Sequence, residues 1–379
     1  MFEAEGHLLK RKGHKVLCYT ADNDGVEGLS LPVLAQRTIW NKQAGAEIEA
    51  IVRREDVDVV HFHNTLPLIS PAGFWGARRA GAAVVQTLHN YRLICPGALL
   101  YRDGRPCETC IGKSLATAAI RHRCYRGSRV ASAAVATMNA THRALGTWRN
   151  AIDRYIAITE FAREKFIRGK LPADKLVVKP NFLNEDPGIG TGSGGFALFV
   201  GRLDVAKGIH TLLKAWSSDN AHGLPKLVIV GDGPLAPEVE TACTNGRIEW
   251  LGWKDRTDVL GLMRKAGVLL FPSEWYEGGT PMTLIEAFAS GLPIVASDLG
   301  TMRTMIETGV NGLLVPTGDA SAFAETSASI LSDAERYAAM RQAARKTFGD
   351  FYAADRNYEI LMQIYSEAIH ERHGHNAVA

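Results

Sequence analysis

The residues best suited to chemistry lie in three turns of the second half of the chain. The segment FALFVGRLDVAKGIHTLLKAW (196–216) reads as a buried strand, a turn and an amphipathic helix, with Arg202 and Lys207 in the turn. Open parallel sheets bind ligands beyond the carboxyl ends of their strands. Two fixed cations beside a helix amino terminus suit a dianionic diphosphate, although a solvated basic turn has the same composition. The second turn, in KLVIVGDGPL (226–235), sets Gly231 and Gly233 after a strand. There they permit either close approach to a flat ligand or simply a tight bend. The third, in FPSEWYEGGTPMTLIEAFASGLPIVASDLG (271–300), joins a strand to a helix through Gly279, Thr280, Pro281 and Met282. Backbone amides of Gly279, Thr280 and Met282 would face a bound anion there, Pro281 having none. Glu277 precedes that helix and Glu286 lies within it. Two carboxylates at an anion site need polar partners, which sugar hydroxyls would supply.

In the first half, AAVVQTLHNYRLICP (82–96) is a strand that ends at His89, where a side chain faces the ligand crevice. Further on, Cys95, Cys107, Cys110 and Cys124 are spaced C-x11-C-x2-C-x13-C. A C-x2-C knuckle with two outlying cysteines suits a structural tetrahedral zinc site, with reduced thiols or a redox pair at Cys107 and Cys110 as alternatives. Cys18 and Cys243 read as isolated core residues.

Taken in order, these segments resemble the retaining, nucleotide-sugar-dependent glycosyltransferases of family 4. The resemblance covers nearly all of 1–370, and its motifs are specific only in combination. It implies the GT-B fold, two Rossmann-like doubly wound domains facing each other across a cleft. It assigns Arg202 and Lys207 to the donor diphosphate, Glu277 to the donor sugar and Glu286 to ribose hydroxyls. It also places Gly231, Gly233 and Trp253 near the nucleobase and His89 beside the donor sugar. Eight residues separate Glu277 from Glu286, one more than is usual in the family. No Asp-x-Asp metal motif accompanies these turns, and in this fold cationic side chains replace the metal, so no cofactor is expected for the chemistry. The implied reaction moves a sugar from a nucleoside diphosphate to an acceptor hydroxyl with retention, in polysaccharide or glycoconjugate synthesis. Alternatives are a sugar-nucleotide epimerase or hydrolase, and an inactive nucleotide-sugar-binding protein.

The elements that must position these groups follow from periodicity. Short apolar runs at 15–20, 57–61, 83–88, 154–158, 196–200, 226–230, 248–251, 268–271, 293–296 and 312–315 alternate with helical stretches such as 209–217, 257–265 and 282–290. That alternation predicts an α/β protein with parallel sheets. The stretch NFLNEDPGIGTGSGG (181–195), with five glycines, reads as a linker. It divides an acceptor-binding domain (1–182, with a cysteine-rich insertion at 95–124) from a nucleotide-sugar-binding domain (183–350). A helix over 350–370 would cross back to the first domain, leaving a frayed tail within 351–379. The chain opens on a helix (2–12) and not on a strand. In the family a strand and a Gly-rich loop come first, so the first sheet is expected to be incomplete.

At 379 residues, with 46% hydrophobic and 22% charged, the composition is that of a globular protein and excludes disorder and collagen. The longest apolar candidate for a membrane span, 59–77, is broken by His61, His63, Asn64, Pro67 and Pro71. No secretory leader is visible. The net charge of +3 conceals a division. Residues 102–170 hold 14 Lys/Arg against 5 Asp/Glu, or +9, which leaves −6 for the rest. This basic stretch suits a lipid-linked pyrophosphate acceptor or an anionic bilayer face, although a solvated basic face has the same composition. Nucleic acid is not expected, since few stacking aromatics are interleaved with the charges. The expected location is the cytoplasm, with peripheral contact at the inner membrane face.

Overall fold

A computed structural model describes residues 1–22, 28–217 and 223–376. The chain forms two compact units. Unit 1 comprises Met1–Arg102, Cys107–Pro180 and Tyr358–Ala379, and unit 2 comprises Asp103–Pro106 and Asn181–Asn357.

Unit 1 is built on four parallel strands: β1 (Val59–Phe62), β2 (Ala83–Leu88), β3 (Arg154–Ala157) and β4 (Leu176–Val178), in spatial order β1-β2-β3-β4. Every residue of β2 is buried, as expected of a central strand covered on both faces. The helix Lys42–Glu55 starts where the Asn41 side chain accepts from the Ala44 amide. Its Ala44, Ile48 and Val52 fall on one face and are buried. That helix lies so close to Ala72–Arg79 that a Cβ on Gly76 would stand 2.1 Å from the Gly45 carbonyl oxygen. At the other end of the chain, Leu361, Ile364 and Ala368 pack with Leu9, Ala83, Val85 and Ile156.

Segment 15–20 is not a strand, contrary to its apolar pattern. A strand needs a partner edge. Here the segment joins no ladder of the first sheet, and Leu17, Cys18 and Tyr19 line a cavity of about 540 Å³ together with Val59, Val60 and Phe62. Leu17 is accordingly 48% exposed. Cys18 is exposed too, not a core residue. Cys243 is partly buried against the unit 2 core.

Unit 2 contains six parallel strands: β5 (Phe196–Val200), β6 (Lys226–Val230), β7 (Ile248–Trp250), β8 (Val268–Phe271), β9 (Ile294–Ser297) and β10 (Gly312–Val315). Their spatial order is β10-β9-β8-β5-β6-β7. The order winds outward in both directions from the β5–β8 pair, which makes the carboxyl ends of those two strands the topological switch point. One core face gathers Leu198, Leu269, Ile285 and Phe288. The other gathers Phe199, Leu212, Trp216 and Phe323.

Two expectations change in detail. The stretch 181–195 has no helix or strand, yet it is not a free linker. Amides of Gly190, Gly192 and Gly194 bond to the carbonyls of Ser290, Arg264 and Lys265. The helix expected over 350–370 begins at Ala354 and runs to Asn376, separate from a preceding helix, Ala334–Phe351. The break falls where the Tyr352 carbonyl accepts from the Leu183 amide and Ala353 pairs with Leu183, which draws that backbone out of the helical ladder.

Candidate functional site

The turn after β5 is shaped by Asp204. One of its carboxylate oxygens caps the 3-10 turn Val205–Lys207 by accepting from the Lys207 amide at 2.9 Å. The other accepts from Arg202 Nε at 2.6 Å. Asp204 thus sets the exposed Arg202 guanidinium at the mouth of the switch point. Its side chain remains 70% exposed and so can reach a ligand. Gly208 follows in the left-handed region (φ 73°), where a Cβ would collide with the Pro272 carbonyl at 2.0 Å. This glycine lets the turn after β5 lie against the end of β8.

Lys207 reaches across that junction. Its Nζ donates to Glu277 Oε1 at 2.7 Å, and Ser273 Oγ and Trp275 Nε1 donate to the same oxygen at 2.8 and 3.1 Å. The ammonium also stands over the Phe271 and Trp275 rings, 5.4 and 5.5 Å from their centroids. Glu277 is 6% exposed, so these donors offset the cost of burying its charge. One turn into the helix Met282–Ala289, the buried Glu286 accepts from Arg256 Nε at 3.0 Å. The protein itself therefore supplies the partner each carboxylate requires. The helix begins at Pro281 with no side-chain cap, which leaves its first amides to other acceptors. Asn181 Nδ2 holds the Thr280 carbonyl at 3.0 Å and Thr301 Oγ1 holds that of Glu277 at 3.3 Å, fixing the turn that carries Gly279 and Thr280.

Gly231 and Gly233 serve close backbone packing. A Cβ on Gly231 (φ 138°) would lie 1.9 Å from the Gly201 oxygen, and one on Gly233 2.5 Å from the Leu203 oxygen. Trp250 Nε1 binds the Gly231 carbonyl at 3.0 Å. Trp253 is 74% exposed beside this turn.

In unit 1 the end of β2 carries His89 into a polar cluster. His89 Nε2 lies 2.7 Å from His63 Nδ1, the rings stacked with centroids 5.0 Å apart. Burial, followed by the neighbouring His63, pushes the His89 imidazole down to about 3. His63 Nε2 faces Glu5 Oε1 at 3.6 Å, and His61 Nδ1 faces it at 2.9 Å. The buried Lys179 Nζ donates to Glu5 Oε2 at 2.8 Å. Burial by itself would raise the Glu5 carboxyl, but Lys179 and His61 outweigh it and hold the group well below the ordinary range. Among the described residues, the one metal-ligand group with all its ligand atoms within 4.8 Å is Glu5, His61 and His63.

Cys95, Cys107, Cys110 and Cys124 are free thiols of intermediate burial. Burial, then Cys95, pushes the Cys110 thiol up to about 11, with smaller contributions from Cys124 and Cys107. Ala119 ties two of them, since the Cys124 amide bonds to its carbonyl and its backbone hydrogen-bonds the Cys110 thiol. Several cations of the basic stretch are spent internally: Lys165 and Arg168 on Glu108, and Arg154 on Glu367 and Glu371. Arg121, Arg123, Arg126 and Arg129 remain exposed. No helix among the described residues is long and apolar enough to cross a membrane.

The sequence patterns single out Arg202, Lys207, Glu277 and Glu286 in unit 2 and His89 in unit 1, but not Asp204, Ser273 and Arg256, which meet the first four, or Glu5, His63 and Lys179, which form the cluster at His89. Only Asp204 has a local signature, as a capping residue three positions before Lys207. The others come together through tertiary packing.

Comparison with known proteins gives concordant results. Residues 191–347 match the family model for glycosyl transferases group 1, and residues 6–186 match that for glycosyltransferase family 4. A phosphatidyl-myo-inositol mannosyltransferase of Mycobacterium leprae is 27% identical over 335 residues, 82% of this chain and 76% of that protein. Other curated relatives align over 33% to 73% of their own length. Among solved structures, Anabaena Alr3699/HepE in complex with UDP superposes with a TM-score of 0.62 at 18% identity, over 85% of this chain and 82% of that one. A glycosyltransferase from Rickettsia africae does so with 0.63 at 15% identity, over 95% and 86%.

Proposed function

The chain belongs to the group 1, family 4 glycosyltransferases, and from that premise we propose that it transfers a glycosyl group from a nucleoside diphosphate sugar to an acceptor hydroxyl with retention at the anomeric carbon. The observation that carries this reading is the switch point of unit 2. There an exposed guanidinium, a lysine ammonium and an uncapped helix start gather at the ends of β5 and β8. Arg202 and Lys207 take the diphosphate, with Gly279, Thr280 and Met282 lending amides. As the glycosidic bond breaks, charge builds on the leaving diphosphate, and cations already held in place stabilise it more than they stabilise the ground state. Lys207 is shared with Glu277, so the diphosphate meets an ammonium oriented by a buried carboxylate. Glu277 then addresses the donor sugar and Glu286, steadied by Arg256, the ribose. Trp253, exposed beside Gly231, offers a face to the base.

Unit 1 is proposed to handle the acceptor, with His89 contacting a substrate hydroxyl. The exposed arginines of 121–129 suit an acceptor bearing pyrophosphate on a lipid, at an anionic membrane surface. The chemistry is proposed to need no metal, its charge being met by Arg202 and Lys207. The test follows release of nucleoside diphosphate from a panel of nucleotide sugars with and without acceptor, together with the anomeric configuration of the product. Acceptor-dependent release that drops at least about tenfold, about 1.4 kcal/mol, in Arg202→Ala and Lys207→Ala supports the proposal. Consumption of donor without any acceptor supports an epimerase or hydrolase instead.

A further inference from the structure

Four cysteines of unit 1 converge in a stretch that has almost no core of its own. From Tyr101 to Ser128 only Ala119 is buried. Regular structure there is confined to the two-residue strands Tyr101–Arg102 and Arg105–Pro106 and the short helix Thr117–Arg121. Ala98, Leu100, Arg123 and Arg126 stand in the left-handed backbone region, at φ between 49° and 70°, which costs roughly 1 kcal/mol or more for each. Apolar burial does not offset that strain, so another cross-link must. The cysteines meet here. Cys95 closes a turn, its carbonyl accepting from the Ala98 amide at 2.8 Å. Within that turn Gly97 faces Cys124 so closely that a Cβ on it would stand 3.2 Å from the Cys124 Cβ. The Cys124 amide bonds to the Ala119 carbonyl, and the Ala119 backbone also hydrogen-bonds the Cys110 thiol. The Cys107 amide bonds to the Leu100 carbonyl at 2.7 Å. Cys95, Cys124 and Cys107 all lie within electrostatic reach of the Cys110 sulfur. Between Cys107 and Cys110 the chain is a closed knuckle. The Ile111 amide bonds to the Glu108 carbonyl, Gly112 takes a φ of 73°, and Lys165 and Arg168 pin the Glu108 carboxylate.

Arg92 is an independent pointer. Its guanidinium is half-buried within electrostatic reach of Cys95. Nη1 donates to the Pro96 carbonyl at 3.1 Å, and the group lies over the Tyr125 ring, 4.6 Å from its centroid. No carboxylate among the described residues pairs with it. A cation so placed calls for a countercharge, and a zinc ion held by four thiolates carries a net charge of about −2. We propose that Cys95, Cys107, Cys110 and Cys124 bind one zinc ion as thiolates, and that this ion takes the place of a hydrophobic core for the stretch 95–128. Each thiol gives its proton to solvent as its sulfur bonds to the metal. No three of the thiol sulfurs stand within 4.8 Å of one another, whereas sulfurs about 2.3 Å from one tetrahedral ion are roughly 3.8 Å apart. Binding therefore draws them inward by side-chain rotation. A redox role suits Cys107 and Cys110 less, because reactive pairs of this spacing open a helix and this pair leads into the turn Thr109–Gly112. Four thiolates leave no open position, so the ion is structural. It also fixes the display of the exposed Arg121, Arg123, Arg126 and Arg129, which flank the last ligand. The site is independent of the transferase reading, whose chemistry needs no metal.

The experiment is elemental analysis of the whole chain, purified under reducing conditions without a polyhistidine tag, with cobalt exchange as the second measurement. About one zinc per chain is expected, released when a mercurial reagent takes the thiols. Cobalt loaded in its place should show thiolate-to-metal charge-transfer absorption. Cys107→Ser and Cys124→Ser should each weaken zinc binding by about tenfold or more. His61→Ala should keep the ion, which separates this site from the group of Glu5, His61 and His63. If the serine variants do not fold, the metal content and cobalt spectrum of the wild-type chain still decide. A purified chain with freely reactive thiols and no metal overturns the proposal, as does iron in place of zinc or a Cys107–Cys110 disulfide. So does zinc that is lost in His61→Ala and kept in Cys107→Ser. Metal content is read without substrate, so it can fail while the transferase assay succeeds, and the reverse.

Discussion

Replacing Lys207 with methionine keeps the side-chain volume and removes the charge that Glu277 Oε1 meets at 2.7 Å. Breaking a fully buried ion pair from one side costs about 3–5 kcal/mol, and breaking an exposed one about 0–1 kcal/mol. This pair lies between those limits. The Lys207 side chain is 23% exposed and that of Glu277 8%. Ser273 and Trp275 also continue to donate to the same oxygen, each bond contributing about 1 kcal/mol. A loss of about 1.5–3 kcal/mol follows. At about 2–4 °C per kcal/mol for a domain of this size, the unfolding transition of unit 2 should drop by about 3–12 °C. Glu277→Gln should cost less, about 1 kcal/mol, because the lysine can turn its ammonium toward water. The double variant Lys207→Met/Glu277→Gln holds no unpaired charge and should be more stable than the sum of the two changes by about 1–2 kcal/mol. Thermal melts of the four proteins close this cycle. Additivity within about 0.5 kcal/mol would mean that Lys207 and Glu277 are not coupled and that the carboxylate does not orient the ammonium.

Acid should destabilise unit 1. Folded His89 stays neutral down to about 3, while the unfolded side chain takes its proton near ~6.5. The unfolded state thus binds the extra proton between those values, and stability falls as pH falls through that window. From pH 7 to 5 the loss from His89 is about 2 kcal/mol, with His61 adding in the same direction and Glu5 adding only below the ordinary carboxylate range. Urea titrations across pH would show it, and a flat profile from pH 7 to 5 would contradict a buried, neutral His89. Arg256→Ala should leave Glu286 without the 3.0 Å partner that steadies it. It should weaken binding of a ribonucleotide by about tenfold or more while affecting its 2′,3′-dideoxy counterpart little, since one charged hydrogen bond is worth about 1.5–3 kcal/mol. Gly231→Ala places a Cβ 1.9 Å from the Gly201 oxygen at φ 138°. It should destabilise unit 2 by about 2 kcal/mol or more in a thermal melt.

The architecture was legible where strands were apolar and closely bounded. Phe196–Val200, Lys226–Val230, Val268–Phe271 and Gly312–Val315 stand where their patterns place them. The segment 15–20 carries the same kind of pattern and is no strand, because pairing depends on an edge within reach and a sequence window holds no information about that edge. The short Leu176–Val178 strand escaped for the converse reason. Its three residues form a strand only because β3 lies alongside. Arg202, Lys207, Glu277 and Glu286 could be read as candidates from type and spacing. The carboxylate partners Lys207 and Arg256 lie 70 and 30 positions away from the acids they meet. No periodicity links such positions. The same holds for Glu5, whose partner Lys179 is 174 positions distant.

The proposed transfer requires the switch point of unit 2 to hold a nucleoside diphosphate through Arg202 and Lys207. Isothermal titration of the whole chain with UDP, GDP and ADP tests it most directly. One of the three should bind with one-to-one stoichiometry, and Arg202→Ala and Lys207→Ala should each weaken that binding by about tenfold or more. Unchanged affinity in both variants would contradict the claim, as would the absence of binding by all three nucleotides.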